Sequence, residues 1–290
     1  MAKLAGVNLA MQTPFNEDGS IAFGVFEDLI EKYIDAGVHG LVLGAGTGQH
    51  PYLTEAECNA LYEVGAKRIN GRCNLICQTS ALNVDEVIRR SRHAESIGAD
   101  GIMVLPPYFE GPTDDDGLFE FYKDIDAATR VAIIGYNIPQ ATGISVSVPL
   151  LKRLSELPHF QYIKDSGGDM TTHQEYIRTS VNVLNGCDTT ALYAFMAGAK
   201  GAIWGAANYM PKEAVALYNL LQENNNADAF ALWQKMLPSL LFIWRCNYIP
   251  SVLRAAQLRG YGTGRVRKPL HGLSEEQDRA LKEALAPLFG

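Results

Sequence analysis

Lys164 interrupts an otherwise apolar run, Phe160–Gln161–Tyr162–Ile163–Lys164–Asp165–Ser166–Gly167–Gly168, that reads as a short buried strand followed by a glycine turn. A lysine in such a place either finds an anion or gives up its charge, because desolvation favours the neutral amine. A neutral amine is a nucleophile and forms a Schiff base with a carbonyl compound. A tyrosine closes the preceding strand in Gly135–Tyr136–Asn137–Ile138–Pro139, and a phenol beside an imine-forming amine can carry protons. Together the two imply carbon–carbon bond chemistry next to a ketone. Two plainer readings stand beside this one. Lys164 pairs with Asp165 or extends its amine to solvent past an apolar stem, and Tyr136 is a packed core residue.

A third element is the glycine-rich turn Leu43–Gly44–Ala45–Gly46–Thr47–Gly48–Gln49. Glycines let backbone N–H groups converge on an anion, and Thr47 adds a hydroxyl, so a carboxylate is the natural guest. No lysine follows in the register of a nucleotide-binding loop. A plain tight turn is the alternative.

The elements that must position these residues alternate. Strand-like runs at Val7–Met11, His39–Leu43, Asn74–Thr79, Gly101–Leu105, Val131–Tyr136, Tyr162–Lys164, Val181–Leu184 and Gly201–Trp204 are separated by helix-period stretches, from Ala22–Ala36 to Pro211–Glu223. Eight such units predict a (β/α)8 TIM barrel, with an open doubly wound sheet as the alternative. The site then belongs at the C-terminal strand ends. If Ile163 faces the helices, Lys164 points into the barrel. Thr54 and Asn83 read as helix caps. Gly37, Gly98 and Gly198 sit where helices must stop and reverse, on the opposite face from the chemistry. From Asn224–Asn225–Asn226 onward only helical periodicity remains, over Ala227–Arg245, Ser251–Leu258 and Glu275–Leu285. The expected organisation is a catalytic barrel over 1–225 and a C-terminal helical extension over 226–290 packed on it, since so short a segment makes a thin core of its own.

Bulk properties narrow the classes. The chain has 290 residues, 47% of them hydrophobic, and a net charge of −7, which suits one large domain and argues against a nucleic-acid partner. The Asp114–Asp115–Asp116 triplet reads as a solvated loop or a helix start. Five cysteines without a CxxC pair read as reduced thiols, and six scattered histidines without HxH or HExxH spacing give no metal site. No membrane-length apolar stretch and no leader-like segment is seen, so a cytoplasmic location without membrane association is expected.

Taken together and in order, these residues resemble the dihydrodipicolinate synthase / N-acetylneuraminate lyase superfamily of class I aldolase-type barrels. The matching pieces are Pro14, the Gly46–Thr47–Gly48 turn, Pro107–Tyr108, Tyr136–Asn137–Ile138–Pro139 with Thr142–Gly143, Ile163–Lys164–Asp165–Ser166, Gly186–Cys187–Asp188 and Ile203 to Asn208. Pro51–Tyr52–Leu53–Thr54, the run Lys164–Asp165–Ser166–Gly167–Gly168–Asp169, and Gly260–Tyr261–Gly262 with Pro269–Leu270 look most like the 4-hydroxy-2-oxoglutarate aldolase branch. The resemblance implies an imine between Lys164 and the ketone of pyruvate or a larger 2-oxo acid, with Tyr136 moving protons. It implies substrate contacts at Gly46, Thr47, Gly48, Tyr108, Gly186 and Ile203, no cofactor and no metal, and a homo-oligomer built as a dimer of dimers. Retro-aldol cleavage releasing pyruvate is the leading expectation. Dehydration or deamination through the same imine, a decayed binding relative that keeps Lys164, and a metal-dependent barrel enzyme are the alternatives.

The sequence also departs from the family pattern. Gly46 stands where a hydroxyl or amide residue is usual, and Gln49 where the loop ends in glutamate. Ala141 replaces the arginine that holds aspartate semialdehyde in the synthases, which argues against that activity. Trp204–Gly205 argues against a long polyhydroxylated substrate. Phe109 replaces a tyrosine that relays protons into a neighbouring subunit's site, which leaves Tyr108, a water or a less proton-demanding reaction to take its place.

Overall fold

A computed structural model describes residues 3–112 and 114–289; residues 1, 2, 113 and 290, which include both outer limits of the expected units, lie outside it. Eight parallel strands close in sequence order into a barrel: β1 (Gly6–Ala10), β2 (Gly40–Leu43), β3 (Asn74–Gln78), β4 (Gly101–Val104), β5 (Ala132–Asn137), β6 (Phe160–Asp165), β7 (Asn182–Asn185) and β8 (Gly201–Trp204). The helices that return the chain are α1 (Phe23–Asp35), α2 (Glu55–Ile69), α3 (Val84–Ser96), α4 (Asp115–Ala128), the single turn α5 (Pro139–Thr142) with α6 (Val148–Leu154), α7 (Met170–Ile177), α8 (Ala191–Ala197) and α9 (Pro211–Gln222). Three longer segments follow, α10 (Asn226–Arg245), α11 (Tyr248–Leu258) and α12 (Glu275–Leu285), and α10 packs on α9 and α12. The barrel and its helical extension are those expected from the sequence; closure, with β1 paired to β8, removes the open-sheet alternative.

Local chemistry explains the boundaries. Thr54 and Glu57 form a reciprocal capping box at α2, and the Asn83 side chain accepts the Asp85 N–H at α3. Asp114 caps α4 by accepting the Gly117 N–H, so the acidic triplet is a helix start. Gly37, Gly98 and Gly198 take φ of 84°, 83° and 108°, the left-handed conformation that ends a helix at little cost without a side chain. The sequence places the start of α11 three residues late, because Tyr248–Ile249–Pro250 carries a proline; a proline in the first turn loses no intrahelical hydrogen bond.

Two apolar cores divide the strand residues by parity. Ile133, Ile163 and Trp204 belong to the core between barrel and helices, whereas Ile134, Tyr136, Tyr162, Leu184 and Ile203 fill the barrel interior. The period-two alternation of β6 therefore sends Lys164 inward, at the C-terminal end where the interior opens.

Candidate active site

Lys164 and Tyr136 are register partners on β6 and β5. Their side chains meet inside the barrel mouth, with the Lys164 Nζ 3.9 Å from the centre of the Tyr136 ring. Both are nearly sealed from bulk solvent, 5% and 7% exposed. Asp165, the next residue, points the other way. Its carboxylate oxygens stand 2.7 Å from His173 Nδ1 and accept from Asn137 Nδ2 at 2.9 Å and the Gly167 N–H at 3.0 Å. The pairing of Lys164 with Asp165 is thereby excluded, and Asp165 instead ties β5 and β6 to α7.

The two side chains open onto a cavity of about 390 Å³ at the C-terminal ends of the strands. Gly46, Thr47, Gly186 and Ile203 line it with them. A Cβ on Gly186 would stand 2.2 Å from Ser166 Oγ and 2.7 Å from Lys164 Cε, so only glycine leaves the amine in place. Gly46 has open space on the side where a Cβ would point. Among the described residues no backbone acceptor takes the Gly46 or Thr47 N–H, so these two lining residues have N–H groups free to receive an anion, with the Thr47 hydroxyl beside them. Gln49 supports this loop from below in a left-handed conformation, and its Oε1 accepts the Arg267 N–H of the tail at 2.9 Å. Arg267 in turn grips Glu57, whose carboxyl the guanidinium holds down to about 2. A neutral amide at 49 thus serves as a strut between loop and tail.

Two of the expected site residues lie elsewhere. Gly48 is tucked under the loop, its carbonyl accepting from Thr13 Oγ1 at 2.7 Å with the Met11 carbonyl packed against it. Tyr108 follows the paired prolines out of β4 and stands 37% exposed beside Phe109, 69% exposed, away from the cavity. Trp204 also fails to reach the cavity, because β8 alternates Ile203 inward and Trp204 outward. What occupies the space over Gly205 is the Tyr248 hydroxyl, 2.1 Å from where a Cβ would sit, with Thr47 Oγ1 on the same side at 2.9 Å.

Five polar or aromatic residues, Gln140, Ser166, Asp188, Trp244 and Tyr248, complete the lining together with Ile138, Gly205 and Ile249. Ser166 Oγ is buried beside the Lys164 stem with no hydrogen-bond partner among the described residues, a polar atom whose burial is costly until it is bonded. Asp188 is fully enclosed, accepting from the Tyr248 hydroxyl and the Ala206 N–H, each at 2.8 Å. Burial pushes its carboxyl up, opposed by the Tyr248 hydroxyl, the Ala206 N–H and the Lys164 charge. Burial likewise raises the Tyr248 phenol well above its usual range, and the neighbouring Asp188 adds to the effect. Ser166 and Asp188 stand inside motifs legible in the sequence, and only the geometry gives them a place. Trp244 and Tyr248 arrive from the end of α10 and the start of α11, and no local signal shows that these helices fold back over the barrel mouth.

Such a site can bind a 2-oxo acid by its carboxylate, present an amine to its ketone and hold a phenol within reach of the protons that must move. Comparison with known proteins agrees with this chemistry. The family model described as the dihydrodipicolinate synthetase family matches residues 3–287. A 4-hydroxy-tetrahydrodipicolinate synthase of Thermodesulfovibrio yellowstonii is 34% identical over 285 residues, covering 97% of each chain. A 4-hydroxy-tetrahydrodipicolinate synthase of Halalkalibacterium halodurans is 31% identical over 283 residues, covering 97% of this chain and 96% of its own. The solved structure of the 4-hydroxy-tetrahydrodipicolinate synthase from the methanotroph Methylacidiphilum fumariolicum superposes with a TM-score of 0.93 at 28% identity, over 98% of this chain and 95% of that one.

Proposed function

This chain belongs to the dihydrodipicolinate synthetase family of class I aldolase-type lyases, and from that premise we propose that it cleaves or forms a carbon–carbon bond of a small 2-oxo acid through an imine on Lys164, with pyruvate as the common half. The observation that carries the reading is the buried Lys164 amine, free of any carboxylate partner among the described residues and seated on the Tyr136 ring in the same cavity as the Thr47 cradle.

In the cleavage direction Lys164 Nζ adds to the ketone carbon and water leaves, giving a protonated imine. Tyr136 supplies and removes the protons at the carbinolamine. The C4 hydroxyl loses its proton, the C3–C4 bond breaks with its electron pair drawn into the imine, and the aldehyde departs. The enamine takes a proton at C3, and water releases pyruvate and the free amine. A positioned phenol typically contributes about 10²–10⁴-fold to such steps.

A synthase reading, in which the same pyruvate imine condenses with aspartate semialdehyde, is favoured by the names of the relatives. Against it stands Ala141, a small exposed residue at α5 with no charge to offer a second carboxylate. A dehydratase or deaminase would use the same amine and remains within the proposal's class. A homo-oligomer belongs to the proposal too. Leu82, Tyr108 and Phe109 are exposed on the loops after β3 and β4, and Tyr193, Met196 and Phe230 on α8 and α10, more large apolar surface than scattered single residues account for. The function is tested by following pyruvate release from a panel of 4-hydroxy-2-oxo acids. Release that vanishes in Lys164→Ala is expected; release at the wild-type rate in that variant contradicts the reading.

A further inference from the structure

The two ends of the cavity differ in charge. Once Lys164 is joined to pyruvate and the substrate carboxylate rests on Thr47 and its neighbouring N–H groups, Asp188 is, among the described residues, the one other carboxylate or cationic side chain lining the cavity. Among the described residues no arginine and no second lysine faces the cavity. Arg245 follows Trp244 on α10 and, at about 100° further round the helix, lies outside the lining. The outer wall is instead aromatic and aliphatic, formed by Trp244, Tyr248, Ile249 and Ile138, with the amide of Gln140 as a polar handle. Trp244 is 44% exposed, a large indole left in water at the entrance.

From this arrangement we infer that the half of the substrate beyond the breaking bond is an uncharged aldehyde with an apolar, preferably aromatic, body that stacks against Trp244. The inference rests on the aldolase reading above and names the substrate class of that site. An aldehyde carrying its own carboxylate, such as glyoxylate or aspartate semialdehyde, brings an anion into a cavity whose other charged side chain is Asp188. Once the pyruvate adduct on Lys164 has become the neutral enamine that accepts the aldehyde, no cation is left to pair it, and a desolvated unpaired carboxylate is strongly disfavoured. An apolar ring loses nothing there and removes the indole from water. Tyr248 sharpens the fit. Its hydroxyl is committed to Asp188 at 2.8 Å, so it offers the incoming aldehyde a ring edge and no proton donor for an extra carboxylate. Specificity of this kind comes as much from the missing cation as from the apolar wall.

The test has two stages on the full-length protein. Borohydride reduction with pyruvate, followed by peptide mass mapping, first asks whether an imine forms on Lys164. Condensation of pyruvate with benzaldehyde, glyceraldehyde, glyoxylate and aspartate semialdehyde is then compared by kcat/KM. Benzaldehyde is expected to lead both carboxylated aldehydes by roughly tenfold or more, and Trp244→Ala to erase most of that lead. Trp244→Arg is expected to invert the order toward glyoxylate while pyruvate trapping on Lys164 is kept. A pyruvate imine with aspartate semialdehyde, glyoxylate or glyceraldehyde as the best partner overturns the inference and leaves the aldolase reading standing. The same holds for an imine that turns over none of the four. Failure to trap pyruvate at all sinks the parent reading, and the inference falls with it.

Discussion

The floor of the cavity and its rim are built by different means. The floor is made of residues at or just past the ends of strands. Tyr136 and Lys164 are neighbours by register, and Gly186 is glycine because the amine and Ser166 Oγ occupy the space beside it. The rim is made of residues from the helical extension and from loops, Trp244, Tyr248 and Ile249 among them. Strand positions are fixed by backbone hydrogen bonds on both sides, so the reacting groups keep their geometry within narrow limits. Helices packed over the barrel mouth can change their side chains without disturbing that geometry. The contrast teaches that one imine chemistry can be kept while the aldehyde it serves is exchanged.

Substitutions at the floor should therefore act on turnover far more than on specificity. Lys164→Ala is expected to abolish turnover and imine trapping while the melting temperature stays level or rises, because a buried amine is removed. A large drop in thermal stability would instead give Lys164 a structural role. Tyr136→Phe should lower kcat by about 10²–10⁴-fold with a smaller change in KM, read from steady-state kinetics. Gly186→Ala should lower kcat and also stability, by about 1–3 kcal/mol from overpacking against Ser166 and Lys164; unchanged kinetics would show that the loop yields freely.

At the rim the expected effects are smaller. Tyr248→Phe leaves Asp188 with the Ala206 N–H as its one remaining bond and should cost about 1–3 kcal/mol in denaturant unfolding, with pyruvate trapping retained. Loss of trapping in that variant would place Tyr248 on the floor side of the divide. The smallest effect is in pH. Burial holds the His39 and His50 imidazoles below the usual 6.5. The unfolded chain then binds more protons than the folded one below that value. Stability contributed by these histidines is present above pH 6.5 and is lost as pH falls through their folded values. Thermal melts from about pH 7.5 to about pH 5.5, which spans the ordinary histidine range, should show a decline that His50→Gln reduces; a flat or rising profile contradicts the burial argument.

The same division explains how much was legible in the sequence. Period-two alternation and the glycine turns carried the eight strands, the barrel and the inward aim of Lys164, since those patterns are local consequences of which face is buried. Gly186 and Ile203 line the cavity for the same reason: each sits at or just past the end of an inward-alternating strand. Tyr108 and Gly48 were harder, because the direction of a loop depends on what the loop packs against and not on its own residue types. Trp204 illustrates the limit of adjacency. It is next to a cavity residue in sequence and on the opposite face of the sheet in space. Tyr248 meets Asp188 across 60 residues that include α8, β8, α9 and α10, and nothing in the local sequence signals that contact.

The central claim is that the Lys164 amine becomes covalently bonded to a ketone in this cavity. Incubation with pyruvate, reduction with borohydride and mass mapping of the digested protein tests it most directly. One reduced pyruvate adduct per chain, on the peptide containing Lys164 and missing in Lys164→Ala, is the predicted result. An unmodified Lys164 peptide under saturating pyruvate, or an adduct that maps to another lysine, would contradict it.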